Sequence, residues 1–333
     1  MSMSTPSNFH LSLTYLIFNG FEPNPDYYTC PANWPMESEE RVSRPYLGVY
    51  FFTSGIILMS IYLICFLAMI TIPRNPANKI MITLAICDIP SIFVNSIATG
   101  TMGYFGITFC DHPTLIFILG CNGFGWWMGC SIGCITLAVC RISEINKKLN
   151  IDWVFTKYCN RVLLFTAVVA PFYGIFLTKP VIFRPKFMSW FLDPGIGILD
   201  SSVYLNVTQP FNNVVFSTVS LLLYTYFTYF LVSKDNLLSS PEHARTQLQI
   251  VLQVAIICFL HSTTSLLYSY MQFFYSPQWL ILVAQISWQM STGSVGIVYL
   301  TLNKTIRSSV FKMFRPTKAA IVPHVQTVPS MTS

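Results

Sequence analysis

The chain has 333 residues, of which 53% are hydrophobic and 10% charged, with a formal net charge of +6 and a mean hydropathy of +0.55. Soluble globular domains carry about 25% charged residues, so this composition excludes a soluble fold and defines a polytopic membrane protein. The basic residues lie between apolar runs, where they mark topology and not a nucleic-acid surface.

Residues 1–45 are rich in Ser, Pro and acids (Glu22, Asp26, Glu37, Glu39, Glu40) and read as an extracellular loop segment with one cysteine, Cys30. Phe9 to Phe18 is weakly apolar, but no basic stretch precedes it, so it does not read as a signal peptide and is expected to be retained. Apolar runs of about 20 residues cross a bilayer, and the pattern predicts seven. They cover about 46–72, 80–100, 113–140, 162–178, 211–232, 248–274 and 279–302. The third is the most telling. Pro113 suits the first turn of a helix, because its missing N–H is an orphan there anyway. No Asp, Glu, Lys or Arg follows until Arg141. The fourth contains Pro171, and a long loop, about 179–209, leads to the fifth. After the seventh, KTIRSSVFKMFRP gathers Ile306, Val310, Phe311 and Phe314 on one side of a short helix lying on the membrane. The Pro/Thr/Ser-rich end is expected to be disordered. The predicted fold is all-α: a seven-transmembrane helix bundle (46–302), an extracellular segment (1–45) and a cytoplasmic tail with a short amphipathic helix (303–333).

Arg74, Lys79, Arg141, Lys147, Lys148, Lys157, Arg161, Lys234, Arg245, Lys304, Arg307, Lys312, Arg315 and Lys318 fall on one side, and Arg41, Arg44, Lys179, Arg184 and Lys186 on the other. The richer side is cytoplasmic, which puts the N-terminus outside and the C-terminus inside. Of 10 cysteines only Cys30 and Cys110 then lie outside, where disulfides persist. They are expected to pair; two unpaired thiols are the alternative. Asn206-Val207-Thr208 is an outer-face glycosylation sequon, while Asn303-Lys304-Thr305 faces the cytoplasm and is silent.

Asp88 is the one acid well inside a span. Its charge must face the bundle interior. Ser91 and Asn95 share its helix face at i+3 and i+7, and Ser291, Thr292 and Ser294 offer partners from the seventh span. The cluster suits a sodium ion, a proton or a structural water network. Arg141 reads as a snorkelling topology residue or as a coupling residue, with Glu144 placed to pair with it at i+3.

The pattern resembles a rhodopsin-like receptor, with departures. LAICD (84–88) is similar to the second-helix LAxxD motif. Cys140-Arg141-Ile142 stands in place of DRY without its acid, and 295–299 in place of NPxxY with only Tyr299 kept. The sixth span has no CWxP proline, and the absence of a seventh-span lysine excludes a retinal-binding opsin. More specifically, the chain resembles the nematode serpentine chemoreceptors of class T. The resemblance rests on YYTCP, KIMITLAICD, TGTMGYFGITFCDHP, Asp193-Pro194-Gly195, Tyr204-Leu205-Asn206 and Pro210-Phe211-Asn212-Asn213, and runs from about Tyr28 to Phe314. It implies a chemosensory G-protein-coupled receptor in the plasma membrane, in the sensory cilium of a chemosensory neuron. Its partners would be a small ligand, a heterotrimeric G protein, membrane lipid and, in some cases, a second receptor; nucleic acid and cofactors are not expected. Ligand would shift a population of two bundle arrangements, opening the inner end around Arg141, Glu144 and Tyr299.

The outer half of the bundle offers Asn95, Asn122, Trp126, Asn212, Tyr268, Tyr270, Gln272, Gln285 and Trp288 as pocket candidates. Each is also ordinary helix packing. Without a carboxylate there, the ligand is expected to be neutral or weakly polar and not an amine. A ligand-gated channel or transporter is the competing class, against which stand the lack of inverted repeats and of paired broken helices. An intramembrane enzyme is excluded by the single acid, the absent HExxH and the lone spanning histidine, His261.

Overall fold

The structure is a computed structural model describing residues 8–31, 41–146, 150–197, 199–233 and 241–314. Glu37, Glu39, Glu40, Lys147, Lys148, Lys234, Arg315, Lys318 and the Pro/Thr/Ser-rich end lie outside these residues.

Seven spans form one bundle. The first four are Pro45–Thr71, Pro76–Phe105, Pro113–Ile145 and Cys159–Phe176. The fifth is Thr208–Ser233, the sixth Pro241–Phe273, and the seventh a pair, Gln278–Gly293 and Val295–Leu302, bent by 45°. The fifth has 26 residues and no Asp, Glu, Lys or Arg. At about 1.5 Å per residue it is long enough to cross. Pro45, Pro76 and Pro113 each open their helix, where a missing N–H costs no bond. Asn75 caps the second span through Asn78 N, and Gly106 closes it in the left-handed conformation at φ 66°.

Two spans carry π turns that the sequence reading lacked. One, Phe93–Ala98, follows Pro90 in the second span; the other, Phe165–Val169, precedes Pro171 in the fourth. A proline inside a helix removes one ladder bond and crowds the preceding turn, and a widened turn absorbs the mismatch. Thr99 Oγ1 donates to Val94 O across the first of these turns at 2.9 Å.

The third span is the axis of the bundle. The most apolar window of this helix is 72% buried, against 33% for the first and fourth. Outer side chains Cys121, Phe124 and Trp127 belong to one core cluster, and inner side chains Cys130, Cys134, Leu137 and Cys140 to another. The outward faces of the other spans carry Phe52, Ile57, Leu67, Leu221 and Phe259, exposed as a lipid-facing surface is. The third and fourth spans approach so closely that a Cβ on Gly174 would lie 2.6 Å from Gly125 Cα.

The outer end is more structured than a loop reading allows. Residues 8–31 form a 3₁₀ turn, Asn8–Leu11, and a helix, Leu13–Phe18, which bury Leu11, Leu13 and Leu16 in the outer core. Thr14 donates to Phe176 O at 2.6 Å, at the end of the fourth span. Cys30 and Cys110 are bridged, with Cα atoms 5.8 Å apart, and the other eight cysteines remain thiols. Arg41 pairs with Asp111 beside the bridge. The 179–209 loop contains a hairpin, β1 Ile182–Arg184 against β2 Ser189–Phe191, pairing Phe183 with Trp190. At the inner end the amphipathic helix is Lys304–Met313, capped by Asn303 and packed through Ile306 and Val310.

Two substitutions test this architecture. Gly125→Leu forces apart the third and fourth spans, and the expected readout is loss of most folded receptor from the cell surface. Cys30→Ser is expected to lower the stability of purified receptor by about 2–5 kcal/mol, with the same loss for Cys110→Ser and no further loss in the double variant. Additive losses would mean that the two cysteines act separately.

Candidate functional site

Beneath β2 lies a cavity between the third, fifth, sixth and seventh spans, lined by Phe124, Trp127, Trp190, Asn213, Tyr268 and Trp288 among others. Polar contacts fix its walls. Trp127 Nε1 donates to Asn213 Oδ1 at 2.8 Å, and Trp190 Nε1 to Thr99 Oγ1 at 2.8 Å. Gln285 is the hub: its Oε1 accepts from Tyr268 at 2.8 Å and from Ser189 at 3.2 Å, and its Nε2 donates to Asn95 O at 2.9 Å. Trp288 stands edge-on to Trp127 and Tyr268, at 6.4 and 5.8 Å. Its indole N–H is buried without a partner. Only about 20 Å³ is open to the centre of a water-sized sphere, room for roughly one water. The walls carry no charged side chain.

Of the pocket candidates named from sequence, Tyr268, Gln285 and Trp288 meet here. Asn122 and Trp126 do not: Trp126 Nε1 donates to Asn122 Oδ1 at 3.1 Å, and Asn122 Nδ2 to Ile118 O, all along the flank of the third span. Asn212 lies in a lipid-side groove with Phe211 and Tyr173, and Gln272 at the outer mouth with Arg184. Their neighbours Trp127 and Asn213 take the interior positions. Adjacent helical residues point about 100° apart, and a helix apolar on most sides leaves that choice unmarked. Tyr270, on the sixth span, stacks on Phe274 and is exposed.

The intramembrane polar residues divide into two sets. Asn95 Nδ2 donates to Thr292 Oγ1 at 3.0 Å, and Ser96 to Asn95 Oδ1 at 2.7 Å. Ser291 turns back to Trp288 O at 2.9 Å. Asp88, fully buried, accepts instead from Tyr62 of the first span at 2.6 Å. Ser91 Oγ is buried without a partner. Tyr62 was not legible as the partner, since nothing in its apolar run sets it apart from the lipid-facing aromatics of the same span.

At the inner end Arg141 is 8% exposed, and its Nη1 lies 2.7 Å from Glu144 Oε2. It borders a polar cavity of about 130 Å³ with Asn75, Asn78, Gln249, Asn303 and Lys304. Tyr299 is fully buried, edge-on to Tyr62 at 6.1 Å, with its hydroxyl unpartnered. On the outer face Asn206 is 3% exposed, its Nδ2 donating to Lys179 O at 3.0 Å and its Oδ1 accepting from Thr208 N. The sequon nitrogen is thus turned inward, and a glycan there requires that contact to open. Lys179 donates to Val203 O at 2.9 Å, and burial holds its pKa below the usual lysine value.

A helical bundle with a lidded outer cavity, a buried second-span acid and an inner arginine is the layout of a rhodopsin-like receptor. The chain is similar in fold to the crystal structure of squid rhodopsin, with a TM-score of 0.57 over 81% of this chain and 80% of that one, at 11% identity. Residues 11–322 match the family described as serpentine type 7TM GPCR chemoreceptor Srt, and the chain belongs to that family. It is 25% identical over 287 residues to serpentine receptor class T-55 of Caenorhabditis elegans, covering 85% of this chain and 78% of that relative.

Tyr62→Phe leaves a buried carboxylate oxygen without its donor, which costs about 1–3 kcal/mol. A double-mutant cycle on purified receptor is expected to give that loss in wild type and a smaller one in an Asp88→Leu background. Equal losses in both backgrounds would remove the pairing as a source of stability.

Proposed function

We propose that this chemoreceptor binds a small, neutral or weakly polar molecule in the cavity beneath β2 and activates a heterotrimeric G protein through its inner end. What supports the ligand class most is the cavity itself: aromatic, free of charge, and bordered by Trp288, whose buried indole N–H has no acceptor. An unpaired buried donor favours a ligand carrying a carbonyl, ether or hydroxyl oxygen. The small volume means that binding expands the pocket. Trp127, Tyr268 and the β2 side chains must part, so ligand prefers a second arrangement of the helices and shifts the population toward it.

The inner end supports the coupling half of the proposal. Arg141 stands at the end of the axial helix, beside a polar cavity, held by one contact to Glu144. Glu144 is 39% exposed, and near-surface pairs of this kind contribute only about 0.3–0.5 kcal/mol. The restraint is therefore weak, as a switch requires. In this reading residues 1–45 lie outside the cell, the Lys304–Met313 helix lies on the inner leaflet, and the receptor acts in the plasma membrane of a sensory cilium. The family is one of receptors, not of enzymes.

The test is ligand-driven nucleotide exchange on a Gα subunit in membranes, normalised to surface receptor, after a screen of volatile and water-soluble compounds. Arg141→Ala is expected to abolish exchange while ligand binding stays near normal. Glu144→Gln is expected to raise basal exchange by no more than about twofold, since tenfold needs about 1.4 kcal/mol. Trp288→Phe is expected to weaken binding of oxygen-bearing ligands while sparing their hydrocarbon analogues. Undiminished exchange by Arg141→Ala would reduce Arg141 to a topology residue.

A further inference from the structure

Inward of the cavity, three helices contribute one side chain each to a single point: Asp88 from the second span, Cys130 from the third and His261 from the sixth. A carboxylate oxygen, the thiol sulfur and a ring nitrogen all lie within 4.8 Å of one another, and all three residues are fully buried. His261 Nδ1 lies 3.2 Å from Ile257 O. A carbonyl oxygen only accepts, so Nδ1 carries the proton and the lone pair of the neutral ring sits on Nε2. Nε2 has no partner. Asp88 Oδ2 is held by Tyr62; Oδ1 has no close hydrogen-bond partner, and the Cys130 thiol faces the carboxylate. An unsatisfied buried acceptor such as His261 Nε2 is uncommon in folded proteins and calls for an explanation such as an ion.

We propose that Asp88, Cys130 and His261 bind one divalent transition-metal ion of the zinc class. The donor set is sulfur, nitrogen and oxygen, which suits zinc; a hard cation such as sodium takes oxygen ligands alone. Charge points the same way. A divalent ion with one thiolate, one carboxylate and one neutral imidazole sums to zero, which removes the cost of an uncompensated carboxylate at membrane depth. The outer contacts are those of a metal site: the ligating imidazole donates its other N–H to a carbonyl, and the carboxylate is fixed by a tyrosine. Ligand atoms on tetrahedral zinc stand about 3.3–3.8 Å apart, so no pair need close by more than about 1.5 Å on binding. Binding forms the sulfur–metal bond and releases the thiol proton, and any proton on the carboxyl, to solvent; nothing is oxidised. Three protein ligands leave the fourth position to water. His261 stacks on Trp127 at 5.3 Å and 9°, which places the cluster against the inner wall of the outer cavity. The ion ties the second, third and sixth spans together. The proposal is independent of G-protein coupling.

The test uses full-length receptor purified in detergent, equilibrated with buffered zinc and desalted, with bound metal measured by mass spectrometry. About one zinc per receptor is expected, and cobalt-loaded receptor should show a thiolate-to-cobalt charge-transfer band. Cys130→Ser and His261→Gln are each expected to weaken zinc binding by about tenfold or more, with the band lost in Cys130→Ser and kept in the control Cys65→Ala. Wild-type receptor that holds no zinc, or whose cobalt form lacks the band, overturns the proposal. So does a Cys130→Ser variant that binds zinc as wild type does. Where a variant does not fold, the wild-type spectrum decides alone.

Discussion

Hydrocarbon offers no hydrogen bonds, so every backbone group in the spans must find its partner within its own helix or in an adjacent one. That constraint explains where this bundle is regular and where it is not. The first span, turned mostly to lipid, is an unbroken helix. The irregular turns at Phe93–Ala98 and Phe165–Val169 occur in spans that pack on the third, where neighbours take up what the ladder drops. Thr99 serves both ends of such a repair. Its hydroxyl donates to Val94 O within the widened turn and accepts from Trp190, so the bulge in the second span also seats the hairpin that lids the cavity.

The same scarcity of partners governs the polar side chains. Gln285 uses both ends of its amide, to Tyr268 and Ser189 on one side and to the Asn95 carbonyl on the other. A buried amide so fully satisfied fixes the relation of second span, hairpin, sixth span and seventh span to one another. Asp88 is the opposite case. One oxygen is held by Tyr62 and the other faces only the Cys130 thiol, at the point where Cys130 and His261 converge. The contrast separates polar residues that build the cavity from polar residues left with capacity to bind.

Much of this was legible in the sequence. The uncharged run after Pro113 marked the axial helix, and the parity of outer cysteines marked the Cys30–Cys110 bridge. The outer cap was not legible. Leu11, Leu13 and Leu16 sit in a short segment whose apolar residues could as well have been a loop in contact with lipid, and only packing against the fourth span makes them core. The hairpin was hidden because three-residue strands leave too little alternation to read. Within spans the difficulty was angular. Hydrophobicity on most sides of a helix marks the membrane but not the bundle interior, so Trp126 and Trp127, or Asn212 and Asn213, could not be told apart by pattern.

The axial helix joins the three levels of the molecule. Trp127 lines the cavity, Cys130 lies one turn inward in the Asp88 cluster, and Arg141 lies in the last turns of the helix at the inner face. From Trp127 to Arg141 is about 21 Å at 1.5 Å per residue. Buried along this length, the helix is the surface against which the sixth span packs. His261 of that span is held to it by stacking on Trp127 above the cluster, and the same indole lines the cavity. Under the proposed function, enlarging the pocket and releasing the sixth span would be one event at Trp127, the indole that both lines the cavity and stacks on His261.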